Sequence, residues 1–271
     1  MATIGNRKVQ IMVERVLLLK GVHNFRDFGG YAVGSGGRLR RGVLWRSGQH
    51  HGATDSDLDI IARIGLANVF DLRTSKERQI YPCRRPQGFA GEVFFSEDPV
   101  QAHAPHIAAA QTVRQHTPKS VRESLMRNYA RMPFRPELQA MMRVCTVRIV
   151  EGNGPNLINC MAGKDRTGVV VAMLLLATGV HRDDVMEDYL LTNIVGDVEA
   201  RIAAGAAAVR VIAGPQEDAV LRVLMAVEPE YLETAFAAVE DQHGTIEGYL
   251  GRVLGLDSAM RKKLRAALVE E

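Results

Sequence analysis

The residues whose types and spacing could do chemistry sit in one stretch, Asn156-Leu157-Ile158-Asn159-Cys160-Met161-Ala162-Gly163-Lys164-Asp165-Arg166-Thr167-Gly168. An apolar, strand-like run delivers a cysteine, an arginine follows six positions later, and a long apolar segment starts at once. A turn of that length ahead of a helix N-terminus can aim successive backbone N–H groups inward, making an anion cradle reinforced by the helix dipole. Cys160 would lie at its floor, where converging N–H dipoles and a guanidinium favour the thiolate. Arg166 would grip two oxygens of a bound phosphate with its fork. Gly163 gives the backbone freedom to turn, with Met161, Ala162 and Lys164 completing the loop. The Thr167 hydroxyl is placed to donate back to the sulfur.

The spacing alone is weak evidence. Arg makes up 27 of the 271 residues, so it follows a given cysteine at any fixed offset about one time in ten. Of the three cysteines, however, only Cys160 has Arg at that offset; Cys83 has Phe89 and Cys145 has Glu151. The added Gly163, Thr167 and Gly168, between a strand and a helix, make coincidence a poor account. The bland alternative is an inert buried cysteine at a strand end.

The elements that must position this loop read as α/β. Arg15 to Leu19 is a short apolar strand, and Leu44 to Ser47 ends another. Thr54 to Asp57 approximates a capping box that opens a helix to about Ile64, and Ala67 to Leu72 is a buried strand. This βαβ rhythm predicts a parallel sheet covered by helices. Residues 97–140 are polar and proline-containing, with short helices expected at Ser120 to Arg131 and Pro136 to Met142, and read as a helical lid or insertion. Leu157 to Asn159 is one more strand. From residue 167 onward everything reads helical: Val169 to Ala177 as a core helix, Val198 to Ala213 as an Ala-rich one, and amphipathic helices near 216–226, 230–241, 245–253 and 257–269.

The segment Cys160 to Gly168 resembles the phosphate loop of cysteine-dependent phosphatases. The fuller pattern C-x-A-G-K-D-R-T-G is similar to that of bacterial tyrosine phosphatases with dual protein and phosphoinositide activity. Asn24 to Tyr31, Trp45-Arg46-Ser47-Gly48, Phe70-Asp71-Leu72-Arg73, Asp188 to Asn193 and Tyr231 to Leu254 resemble further motifs of that family. The resemblance implies one phosphatase domain over 1–271, with a mostly parallel central sheet flanked by helices, a helical insertion at 97–140 and a helical C-terminal region. It also implies Asp165 as proton donor and Lys164 as a bias toward highly anionic substrates. Asp98, on a separate loop, is the rival acid. One departure stands out: Asn159 occupies the position where the family usually has His.

Arg26 and Asp27 are expected either to brace a loop or to contact substrate. Asp71 and Arg73, at the strand edge where open α/β sheets bind ligands, are expected either at the substrate or in a salt bridge of Arg73 with Glu77 or Asp27. His50-His51 and His103-x-x-His106 lack carboxylate partners at fixed spacing and read as surface histidines, so no metal site and no cofactor is expected. The function expected is phosphomonoester hydrolysis through a phosphocysteine, on phosphotyrosine and by extension phosphoserine, phosphothreonine or phosphoinositides. A non-catalytic phosphate-binding module and a rhodanese-like sulfur carrier are the alternatives.

Composition sets the outer limits. The balance of 34 Lys plus Arg against 31 Asp plus Glu is too even for a dedicated nucleic-acid binder, and the excess of Arg over Lys leans toward anionic substrates. Three cysteines build no disulfide framework. Glu14 and Arg15 interrupt the early apolar stretch, so no cleavable signal peptide is expected, and Gly168 to Val180 is too short for a membrane span. A phosphorylated protein or phosphoinositide substrate, no nucleic acid and no integral membrane association follow as expectations. The location expected is cytoplasmic, or outside the cell by a route without a cleavable signal.

Overall fold

The computed structural model describes residues 15–96, 117–196, 199 and 217–271. Among the described residues there are seven strands: β1 (Arg26–Asp27), β2 (Arg38–Leu39), β3 (Leu44–Ser47), β4 (Asn68–Asp71), β5 (Glu92–Phe95), β6 (Asn156–Asn159) and β7 (Val269–Glu270). Five form the central sheet in the order β1-β3-β6-β4-β5. All its pairings are parallel except β1 with β3. The strand that ends at Cys160 is therefore the middle one.

Strand alternation explains how both faces are buried. Trp45, Leu157 and Val69 stand in register across three strands. They pack into a cluster with Val22, Phe25, Leu58 and Ile61. That face is covered by α1 (Asp55–Ala62), which opens on the expected Thr54–Asp57 capping box. Ile158 and Phe70 point the other way, into the larger core. Nine more helices among the described residues face that core or frame it: α3 (Pro118–Arg131), α4 (Pro136–Glu151), α5 (Asp165–Thr178), α6 (Arg182–Leu190), α7 (Thr192–Val195), α8 (Asp218–Met225), α9 (Pro229–His243), α10 (Ile246–Arg252) and α11 (Ser258–Leu268), while α2 (Ser75–Ile80) follows β4. Helix α5 is buried along almost its whole circumference, as its unbroken Val169 to Ala177 run requires.

Several expectations shift. The strand expected over Arg15 to Leu19 reduces to one antiparallel bridge, Val16 with Arg26, beside a bond from the Leu17 N–H to the Phe25 carbonyl at 3.1 Å. The chain after residue 167 is not wholly helical: β7 pairs with β2, closing the C-terminus onto the Gly-rich turn before Arg38. The helix beginning at Pro136 runs through Glu151, where Gly152 caps it in the left-handed region. Within 97–140, α3 buries Val121, Leu125 and Tyr129 in the main core. Asp98, His103, His106 and residues 201–213 lie outside the described residues.

Candidate active site

Cys160 is 3% exposed at the C-terminal end of the central strand, the edge where open α/β sheets place their ligands. The turn after it is possible because of Gly163. Its φ is +65°, and a Cβ there would come within 2.4 Å of the Ser47 carbonyl. The N–H groups of Met161, Ala162 and Gly163 find no acceptor among the described residues, and helix α5 closes its first bond from Gly168 N–H to the Lys164 carbonyl at 2.9 Å. An amide-lined turn at the mouth of a buried 14-residue helix is a geometry that could hold an anion.

The turn is held from outside. Asn24 Nδ2 donates to the Gly163 carbonyl at 2.7 Å, and Arg46 Nη2 donates to the same oxygen at 2.9 Å. Arg46 Nη1 reaches Asp188 Oδ2 at 2.5 Å, while Arg26 donates to Asp188 Oδ1 at 3.2 Å, to the Asp188 carbonyl at 2.7 Å and to Asn24 Oδ1. Arg26 and Arg46 are fully buried. Burial, followed by the charge of Arg46, pulls the Arg26 guanidinium down to about 10. Burial would raise the Asp188 carboxyl, but Arg26 and Arg46 outweigh it and hold it below its ordinary value. One carboxylate thus pairs with both of the guanidiniums that organise the loop. Asp188→Asn should cost about 3–5 kcal/mol, the scale of a buried charge left without its partner, as read by denaturant unfolding at neutral pH. A depressed folded-state pKa contributes stability above the unfolded value and loses it as pH falls, so the variant's deficit should shrink on acidification. A deficit that stayed constant with pH would contradict this electrostatic account.

Arg166 is held by a residue that sequence reasoning did not assign to it. Its Nη1 and Nη2 donate to Glu77 Oε2 at 2.7 Å and Oε1 at 2.9 Å, and Nη1 also meets the Leu72 carbonyl at 3.0 Å. Burial opposes the Arg166 charge, but Glu77, Cys160 and Asp165 outweigh it and raise its pKa. The Nε of Arg166 is buried and has no hydrogen-bond partner. The end-on fork is therefore occupied by Glu77, and the side-on fork of Nε and Nη2 is the edge left for a phosphate. Glu77 is also the third position of the Thr74 capping box that starts α2. The pattern Thr74-Ser75-Lys76-Glu77 directly after β4 was the available signal.

The remaining expected residues divide clearly. Asp71 and Arg73 pair with each other, Nε to Oδ1 at 2.8 Å and Nη2 to Oδ2 at 2.7 Å, in place of the bridge from Arg73 to Glu77 or Asp27. Asn159 Nδ2 reaches Asp71 Oδ1 at 3.3 Å, while its own Oδ1 is buried without a partner. Asp27 accepts the N–H groups of Gly29 at 2.7 Å and Gly42 at 2.6 Å. The structure thus places Arg26, Asp27, Asp71 and Arg73 in bracing contacts and not in the turn itself. Lys164 is fully buried and donates to the carbonyls of Leu224 at 2.7 Å and Ala226 at 3.0 Å. Asp165 Oδ1 accepts the Tyr129 hydroxyl at 2.8 Å and lies 3.4 Å from Lys164 Nζ. The Thr167 hydroxyl is buried without a partner, so the bond back to sulfur is not formed here.

Two further residues need correction or addition. His50 is not a surface histidine: it is 1% exposed and its Nε2 lies 3.0 Å from Ser47 Oγ, behind the loop. Ser47 spends its proton on the Gly48 carbonyl, so His50 is the donor. Burial, then Arg85 and Arg73, push its pKa down to about 3, which keeps the ring neutral. Arg135, at the start of α4, forms no side-chain hydrogen bond among the described residues; it borders a cleft with Arg73, Thr74, Ser96 and Arg166. Burial lowers its pKa, and repulsion from Arg166 adds to this against the opposing charge of Glu137.

These features agree with what the chain is similar to. Residues 17–270 match the model of the tyrosine phosphatase family. Triple specificity protein phosphatase PtpB of Mycobacterium tuberculosis is 30% identical over 281 residues, covering 93% of this chain and 98% of that protein. A proposed tyrosine-protein phosphatase of Cupriavidus necator is 30% identical over 244 residues, covering 88% and 84%. A tyrosine-protein phosphatase of Nostoc commune is 25% identical over 222 residues, covering 79% and 70%. The chain belongs to the tyrosine phosphatase family, and it is a phosphatase built as a mostly parallel sheet flanked by helices.

Proposed function

We propose that residues 1–271 act as a single phosphatase domain whose nucleophile is Cys160, with substrates extending from phosphotyrosine to phosphoserine, phosphothreonine and phosphoinositides. The observation that carries the reading is the Arg166 guanidinium. It is locked end-on by Glu77 with its buried Nε unpartnered, beside a cysteine at the floor of an amide-lined turn. In this reading the Cys160 sulfur attacks phosphorus as the ester P–O bond breaks, and the leaving oxygen takes a proton from Asp165. Water then cleaves the S–P bond and returns a proton to Asp165. The N–H groups of the turn and the side-on fork of Arg166 stabilise the equatorial oxygens.

The breadth of substrate is supported by the triple specificity phosphatase that the chain matches over nearly its full length. The cation suited to a second phosphate is Arg135, because the Lys164 ammonium is engaged by two backbone carbonyls. The substrate is a phosphorylated protein or a phosphoinositide at a water-facing surface. Among the described residues no helix is long and apolar enough to cross a membrane. Turnover of p-nitrophenyl phosphate in excess chelator tests the reading. Phosphate release at an undiminished rate is expected; no release with or without added metal would favour a binding module instead.

A further inference from the structure

Asp165 ends a chain of hydroxyls that the catalytic scheme does not use. The Tyr189 hydroxyl donates to the Tyr129 hydroxyl at 2.8 Å, and Tyr129 donates to Asp165 Oδ1 at 2.8 Å. The two tyrosines come from different helices, α3 and α6, and are at most 1% exposed. Their rings meet edge to face at 6.2 Å, and Tyr231 packs on Tyr129 at 5.5 Å. A Cβ on Gly168 would come within 3.0 Å of the Tyr189 ring, which places that ring against the first turn of α5. Tyr189 also directly follows Asp188, the carboxylate that anchors Arg26 and Arg46 behind the loop. One helix end therefore touches both the carbonyl side of the cradle and the side bearing Asp165.

We propose that Tyr129 and Tyr189 are positioning residues for the Asp165 carboxyl, fixing its rotation at the mouth of α5 through two hydroxyls aligned in series. The inference rests on the reading of Asp165 as proton donor. A phenol has one proton to give; Tyr129 gives its own to Asp165, so the Tyr189 proton has the Tyr129 oxygen as its acceptor. Burial, followed by the charge of Asp165, pushes both phenols well above their ordinary values, so they remain neutral donors. As the ester bond breaks, the proton passes from Asp165 to the leaving oxygen and a carboxylate remains. A fixed hydroxyl donor favours that carboxylate over the neutral acid, so its stabilisation grows along the reaction coordinate. The tyrosines keep their own protons throughout.

The test is kcat across aryl and alkyl phosphates of graded leaving-group basicity, for wild type, Tyr129→Phe, Tyr189→Phe and Asp165→Asn. Tyr129→Phe should stay within about twofold on p-nitrophenyl phosphate and lose about tenfold or more on phosphotyrosine and alkyl phosphates, since proton donation matters most for basic leaving groups. Tyr189→Phe should show a smaller loss of the same form. Equal losses on every substrate, or none, while Asp165→Asn is selective for basic leaving groups, would overturn the positioning role. Lack of leaving-group selectivity in Asp165→Asn would show that the proton-donor reading had failed first. If Tyr129→Phe does not fold, as judged by its melting, Tyr189→Phe carries the same criterion.

Discussion

Cys160→Ser should abolish turnover of p-nitrophenyl phosphate, lowering kcat by roughly 10⁴-fold or more, the scale on which losing a covalent nucleophile is felt. A serine hydroxyl is far harder to ionise than a thiol, and neither the turn's N–H groups nor Arg166 can make up that difference. The cradle itself should survive, because nothing that builds it uses the sulfur. Gly163 is held by Asn24 and Arg46, and Arg166 by Glu77. Binding of inorganic phosphate, measured by calorimetry, should therefore change by no more than a few-fold. Cys145 is a different case, buried in the core with its thiol pushed up by burial, and Cys145→Ser should leave kcat near the wild-type value. A Cys160→Ser protein with a sizeable share of wild-type activity would end the assignment of the nucleophile.

How much of this was legible in the sequence depends on whether the interaction is local. The Thr54 capping box, the buried strand Asn68–Asp71 and the apolar helix after Asp165 are set by neighbours within a few residues, and they form where periodicity places them. The cysteine, the turn and the arginine were legible for the same reason. Contacts between distant segments were not. Glu77 and Arg166 lie 89 positions apart, and Arg26 and Asp188 lie 162 apart. Nothing in a linear pattern says that Asp188 will pair with two guanidiniums, or that Arg73 will choose Asp71 over Glu77. Lys164 shows the limit best. Its place inside the loop predicts a cation facing the substrate, yet its flexible stem carries the ammonium to carbonyls at the C-terminal end of α8. His50 fails in the same way, because its burial is decided by strand β3 and by Arg85.

Arg166→Lys should lower kcat by about 10³-fold, equivalent to roughly 4 kcal/mol of transition-state stabilisation, although the formal charge is unchanged. The guanidinium does two jobs at once. Its end-on edge is fixed by both oxygens of Glu77, which orients the plane, and its side-on edge, with the buried Nε unpartnered, is left for the phosphate. An ammonium has no second edge, so bonding Glu77 and gripping two phosphate oxygens become competing demands. A lysine is also shorter in reach and free to rotate, so it arrives without the orientation that Glu77 imposes. The same logic sets a rank order. Glu77→Gln keeps one acceptor for Arg166 and should cost less than Arg166→Lys, with the loss mainly in kcat and little change in KM for p-nitrophenyl phosphate. Combining the two changes should cost much less than the sum of their separate effects, since Glu77 acts through the guanidinium that the first change removes. Near-normal kinetics in Arg166→Lys, or full additivity with Glu77→Gln, would mean that the phosphate is gripped elsewhere.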